Sequence, residues 1–98
     1  MIPRNRTATH PGEILRHEFL EPLEPLELTQ VELARHLEIP LQRLNGIVRG
    51  KRAVTPETAW LLSQAFSTSP EFWLNLQAAH DLSGRKPSRK IRPVRRVG

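Results

Sequence analysis

Apolar residues recur at helical spacing along most of this chain, and no stretch keeps the alternation of period two that a half-buried strand requires. Five helices are predicted. The first starts near Pro11-Gly12-Glu13 and carries Ile14, Leu15 and Phe19 on one side. Pro22 and Pro25 end it, because proline lacks the amide N–H and clashes with the preceding turn. The second runs from about Gln30 to Leu37, with Thr29 as N-cap and Leu33, Ala34 and Leu37 facing inward. The third runs from about Leu41 to Arg49. Pro40 stands at or beside its first position, Leu44, Ile47 and Val48 face inward, and Gly50 falls just past its end. Thr55-Pro56-Glu57 and Ser69-Pro70-Glu71 share one start signal: a capping hydroxyl, a proline at the first helical position and an acid in the first turn. They open a fourth helix with an Ala59, Leu62, Ala65, Phe66 stripe, and a fifth with Phe72, Leu76 and Ala79 on one face. Trp73 and His80 lie a little round from that face, and Gly84 ends the helix. The fold expected is all-α.

The join at Glu38-Ile39-Pro40 is the most informative feature. Isolated helices of eight or nine residues are unstable in water, so packing must hold the second and third. Their connection is too short for an antiparallel pair with a relaxed loop and suits two helices crossing at a large angle, a helix-turn-helix. The inward stripe of the third helix leaves Gln42, Arg43, Asn45 and Gly46 on its other side, with no acid among them. Gln and Asn can pair bidentately with adenine in the major groove, and Arg with guanine. Leu41 either touches a thymine methyl or packs inward. Gly46, which costs about 1 kcal/mol of helix propensity against alanine, would let the helix approach DNA closely. Arg49, Lys51 and Arg52 follow at the helix end and Gln30 opens the second helix. These four are expected to hold phosphates, fixing orientation without reading sequence. An ordinary solvated face is the competing reading, and the tight turn and the basic cluster weigh against it.

Length and composition narrow this further. The chain has 98 residues, one domain by length, and a chain this short buries only about 60–65% of the surface its unfolded form exposes. Oligomerisation would supplement so small a core. Trp60 and Leu61 widen the apolar arc of the fourth helix, which points to a dimer interface, with a larger monomer core as the alternative. Trp73 is either core or a contact in the same dimer. There is no cysteine, which excludes disulfides, thiolate metal sites and a cysteine nucleophile and fits a reducing cytoplasm. His10, His17, His36 and His80 show no metal-ligand spacing with acids, and neither a glycine-rich phosphate loop nor a nucleophile–base motif is present. An enzyme, a cofactor and a metal are therefore not expected. No apolar run approaches the roughly 20 residues that span a bilayer, and the first thirteen residues lack a signal-peptide apolar region. Net charge is +5, unevenly placed. Residues 85–98 hold seven of the fifteen basic residues and no acid, whereas residues 1–84 hold eight basic and ten acidic residues, a balance of −2. The chain thus divides into an N-terminal arm (1–10), a helix-turn-helix domain (11–84) and a basic, flexible tail (85–98). The tail is either an arm for phosphate or an acidic partner, or a passive solubilising end.

The frame Leu28-Thr29-Gln30, Leu33-Ala34, Leu37, Ile39, Leu44, Ile47 and Gly50-Lys51-Arg52 resembles the helix-turn-helix of the λ-repressor-like, XRE-type family. The stretches HPGEILRHEFLEPL (His10–Leu23), RLNGIVRGKRAVTPETA (Arg43–Ala59) and SPEFWLNLQAAHDL (Ser69–Leu82) are similar to signatures of HigA-type antitoxins, so that the resemblance covers about residues 10–82. It implies a small five-helix homodimer in the bacterial cytoplasm, at the nucleoid when DNA-bound. Such a dimer binds operator DNA in its own promoter and neutralises a HigB-type toxin, an mRNA-cleaving ribonuclease of the RelE-like class. A stand-alone regulator without a toxin, and a protein-interaction module that has lost DNA binding, are the rival readings. Three features depart from the family pattern: a link of EPLEPLELTQ about three residues longer than usual, Glu38 where many members carry glycine, and the basic tail. Because glycine suits a left-handed turn residue, Glu38 predicts a reshaped turn.

Overall fold

Local side-chain caps set four of the five helix starts described in this protein, all but that of the third helix. His10 Nδ1 accepts the Gly12 N–H at 2.8 Å, Thr29 Oγ1 accepts from Glu32 at 3.1 Å, Thr55 from Thr58 at 3.4 Å and Ser69 from Phe72 at 3.1 Å. Each satisfies one of the backbone donors that a helix start leaves unpaired. The computed structural model describes residues 8–23 and 28–95, and among these it contains five helices and no strand. The expected arm up to Thr7, the Pro25 stop and the middle of the long first link lie outside the described residues.

Helix α1 is composite: an α-helical turn at Pro11–Ile14, a π-helical stretch at Leu15–Leu20 and a 3₁₀ turn at Glu21–Leu23. The wide central turns hold Leu15 and Leu20, five residues apart, both in the core. Then follow α2 (Gln30–Leu37), α3 (Leu41–Val48), α4 (Pro56–Phe66) and α5 (Pro70–Gly84). The turn between α2 and α3 keeps its tight form: Glu38 itself takes the left-handed conformation, φ 59° and ψ 43°, and its N–H closes α2 on Ala34 and Arg35. The reshaping expected there does not occur. Pro40 is the N-cap of α3 rather than its first residue, and Gly50 takes φ 74° just past its end.

One core joins all five helices: Leu15 and Leu20 of α1, Leu33 and Leu37 of α2, Leu44, Ile47 and Val48 of α3, Ala59 and Leu62 of α4, and Trp73 of α5. Truncating any one of the buried leucines to alanine costs about 2–5 kcal/mol. Trp73 is wholly buried, packs its ring 5.3 Å from Phe19 and 5.0 Å from Phe72, and donates its Nε1–H to Thr68 at 2.8 Å. It offers no surface to a second copy, so the dimer contact considered for it is corrected to an intramolecular one. The inner face of α5 is also rotated from the expected one. Phe72 and Ala79 are exposed, whereas Gln77 is buried, because its Oε1 accepts the Val54 N–H at 2.7 Å and its Nε2–H donates to Asp81 at 3.0 Å. A buried polar side chain is tolerated where it satisfies a buried donor.

Candidate nucleic-acid interface

The N-terminus of α2 and the first half of α3 meet along a shallow open groove. Thr29, Gln30 and Val31 line one wall and Leu41, Gln42 and Asn45 the other. Asn45 donates from Nδ2 to Gln30 Oε1 at 3.2 Å, linking the two walls. Gln30 Nε2 is left to donate and Asn45 Oδ1 to accept. No acid is among the residues lining this groove. Val31 and Leu41 expose about half of their surface, 48% and 44%, so that apolar contact area stands beside amide donors and acceptors. That combination matches base edges in a major groove, where amides pair with adenine and apolar groups meet the thymine methyl. Leu41 faces outward and does not pack into the core.

Two expected base readers are placed elsewhere. Arg43 turns onto α4, where its Nη2 donates to Glu57 Oε1 and to Thr58 Oγ1, both at 2.9 Å, and its side chain is only 27% exposed. It ties α3 to α4, and it is not among the residues lining the groove. At about 100° per residue, Arg43 lies only about 40° round the helix from Ile47, which is fully buried. The sequence therefore held a sign of its position, but its partners come from another helix. Gly46 packs against a neighbouring side chain. A Cβ at that position would stand 2.9 Å from Arg52 Cγ and 3.0 Å from Arg52 Cδ. The missing side chain makes room for the stem of Arg52.

Arg49, Lys51 and Arg52 follow the C-terminal end of α3. Both Lys51 and Arg52 donate their backbone N–H to the Gly46 carbonyl, at 2.8 and 3.0 Å, which folds the chain back over the end of α3 and leaves their side chains exposed. Arg49 is exposed and shares a recess with Gln30 of α2 and with Arg16 and Glu21 of α1, which pair at 3.1 Å. Arg16, Thr29 and Val31 were not predicted as site residues. Val31 was findable, since it is an apolar residue about 110° round α2 from the Leu33, Ala34, Leu37 stripe. Arg16 was not, since only the fold brings α1 beside α3. Trp60 is 58% exposed and Leu61 half-buried, the latter lining a cleft with His36, Glu38, Arg43 and Glu57.

His10 closes the far end of this basic region. It is buried, its ring lies edge-on to His80 at 4.8 Å, and it shares a recess with Gly50, Lys51, Arg52 and Asp81. Burial and then the neighbouring His80 hold its pKa below the usual imidazole value, against the opposing pull of the Arg52 backbone, Asp81 and Glu13. Neutral His10 is the form that can accept the Gly12 N–H.

Comparison with known proteins agrees with this geometry. A helix-turn-helix family signature matches residues 23–73, about half of the chain. Virulence-associated protein I of Dichelobacter nodosus is 44% identical over 75 residues, which are 76% of this chain and 67% of that protein. Among solved structures, antitoxin GraA superposes with a TM-score of 0.75 at 40% identity, covering 81% of this chain and 82% of its own. Pseudomonas aeruginosa antitoxin HigA, solved with the higBA promoter, superposes with a TM-score of 0.71 at 39% identity, covering 79% of this chain and 80% of its own. By sequence and by fold, the chain belongs to the XRE-like helix-turn-helix family, in the branch that holds the HigA-type antitoxins.

Proposed function

We propose that this chain is the antitoxin of a toxin–antitoxin module: a homodimer that binds operator DNA in its own promoter, represses its operon and neutralises a HigB-type mRNA-cleaving toxin. The observation that carries the DNA part is the α2–α3 groove. Its Gln30–Asn45 pair, the exposed Gln42 and the apolar Val31 and Leu41 form a surface for base edges, flanked by Arg49, Lys51 and Arg52 for phosphates. The P. aeruginosa HigA structure with its promoter supports the same use of the fold. Trp60 supports the dimer, since a tryptophan this exposed is a favoured interface anchor. A dimer would set its two α3 helices into successive major grooves about 34 Å apart on a palindromic site. Action in the cytoplasm follows from the DNA target. Toxin neutralisation rests on kinship with the HigA and GraA antitoxins.

The test has two arms. Purified protein is titrated by fluorescence anisotropy against a duplex from its own upstream region and a scrambled control. A preference of at least about a thousandfold supports operator binding, and equal affinity for both contradicts it. The chain is then co-expressed with a HigB-type toxin. Rescue of growth supports the antitoxin role, whereas operator binding without rescue leaves a stand-alone regulator.

A further inference from the structure

The basic tail begins at the phosphate-facing end of the interface. Arg85, the residue after α5, lines the same recess as Lys51 and Arg52, which follow the recognition helix. The recess also holds one carboxylate, Asp81, already engaged by the Gln77 amide at 3.0 Å. From Arg85 to Arg95 every residue is exposed, and no hydrogen bond or ion pair among the described residues ties this segment to the body. Its cations Arg85, Lys86, Arg89, Lys90, Arg92 and Arg95 are interleaved with Pro87 and Pro93 and with no acid.

We infer that residues 85–95 are a DNA arm that continues the Lys51–Arg52 phosphate contact along the duplex, beyond the footprint of the helix-turn-helix. This rests on the DNA-binding reading and extends it. Three properties favour a duplex over an acidic protein. The arm starts beside the groups that hold phosphates. An extended, proline-bearing segment rises about 3.1 Å per residue, so these residues reach roughly 34 Å, about one turn of B-DNA. Cations spaced along an extended segment also suit a uniform line of phosphates, whereas protein recognition would draw on apolar anchors. Ile91 and Val94 are the only large apolar side chains in residues 85–95, and nothing in the described body packs against them.

The test keeps the chain at full length. Lys86, Arg89, Lys90, Arg92 and Arg95 are each replaced by Gln, and operator affinity is measured for both proteins from 50 to 200 mM salt. The slope of log affinity against log salt changes by about 0.9 for each phosphate neutralised. The variant is expected to lose about 4.5 units of slope per bound protomer, about nine for a dimer, on operator and scrambled duplex alike, with an unchanged thermal melt. Hydroxyl-radical footprinting is expected to show the parent, but not the variant, protecting backbone outside the half-sites. A slope change below one unit and identical footprints would overturn the arm, whether the tail then proves to be a toxin contact or a passive end. The base-reading claim is judged separately, by the parent's preference for operator over scrambled duplex.

Discussion

Single residues carry strain and charge in this fold in ways that thermodynamics can measure. Glu38 holds a left-handed conformation at the corner of the helix-turn-helix, which costs a residue with a Cβ about 1–2 kcal/mol. Replacing it by glycine relieves that strain but adds freedom to the unfolded chain. Glu38→Gly is expected to stabilise by about 0.5–1 kcal/mol, a rise in Tm of roughly 3–6 °C. An unchanged or lower Tm would mean that the turn is not strained. His10 gives a pH signature. Its folded pKa is lowered, chiefly by burial and then by His80, so its contribution to stability is fully present above the unfolded value near 6.5 and is lost as pH falls through the folded value. Urea unfolding at a series of pH values should show that loss. His10→Asn keeps an oxygen acceptor for the α1 cap and should flatten the profile. A profile as steep as the parent's would assign the titration elsewhere.

At the scale of elements, docking of α1 against the end of α3 depends on Gly12. A Cβ at Gly12 would stand 1.8 Å from the Ile47 carbonyl oxygen, an approach that neither backbone can accept without moving. Gly12→Ala is expected to destabilise by about 1–3 kcal/mol, as overpacking does, and an unchanged melting curve would show that α1 is not held there. The starts of α2, α4 and α5 were legible in the sequence because Thr29, Thr55 and Ser69 act on amides three residues away. The π-helical stretch at Leu15–Leu20 was not, because spacings of three, four and five residues blur in so short an apolar pattern. The reading groove was half legible. Gln42, Asn45 and Leu41 follow from the periodicity of α3, but the removal of Arg43 depends on Glu57 and Thr58 of α4, which no local pattern joins to it. Likewise Gly46 looks like a surface glycine until the chain folds Arg52 back over it.

Across the whole molecule, among the described residues, the groove of α2 and α3 and Trp60 on α4 both stand exposed. Because Trp60 is 58% exposed, Trp60→Glu should leave the melt of the folded chain nearly intact while shifting sedimentation from dimer to monomer. A variant that stays dimeric would move the interface away from α4. Exposed in the groove, Gln42 rather than Arg43 is proposed to read a base. The most direct test is the affinity of parent, Gln42→Ala and Arg43→Ala proteins for a set of operators, each changed at one base pair. Gln42→Ala is expected to lose about 1–3 kcal/mol of discrimination at a single position, with Arg43→Ala keeping every preference and showing only a modest uniform loss. If Arg43→Ala erased one preference while Gln42→Ala kept all of them, the assignment of the groove would be contradicted.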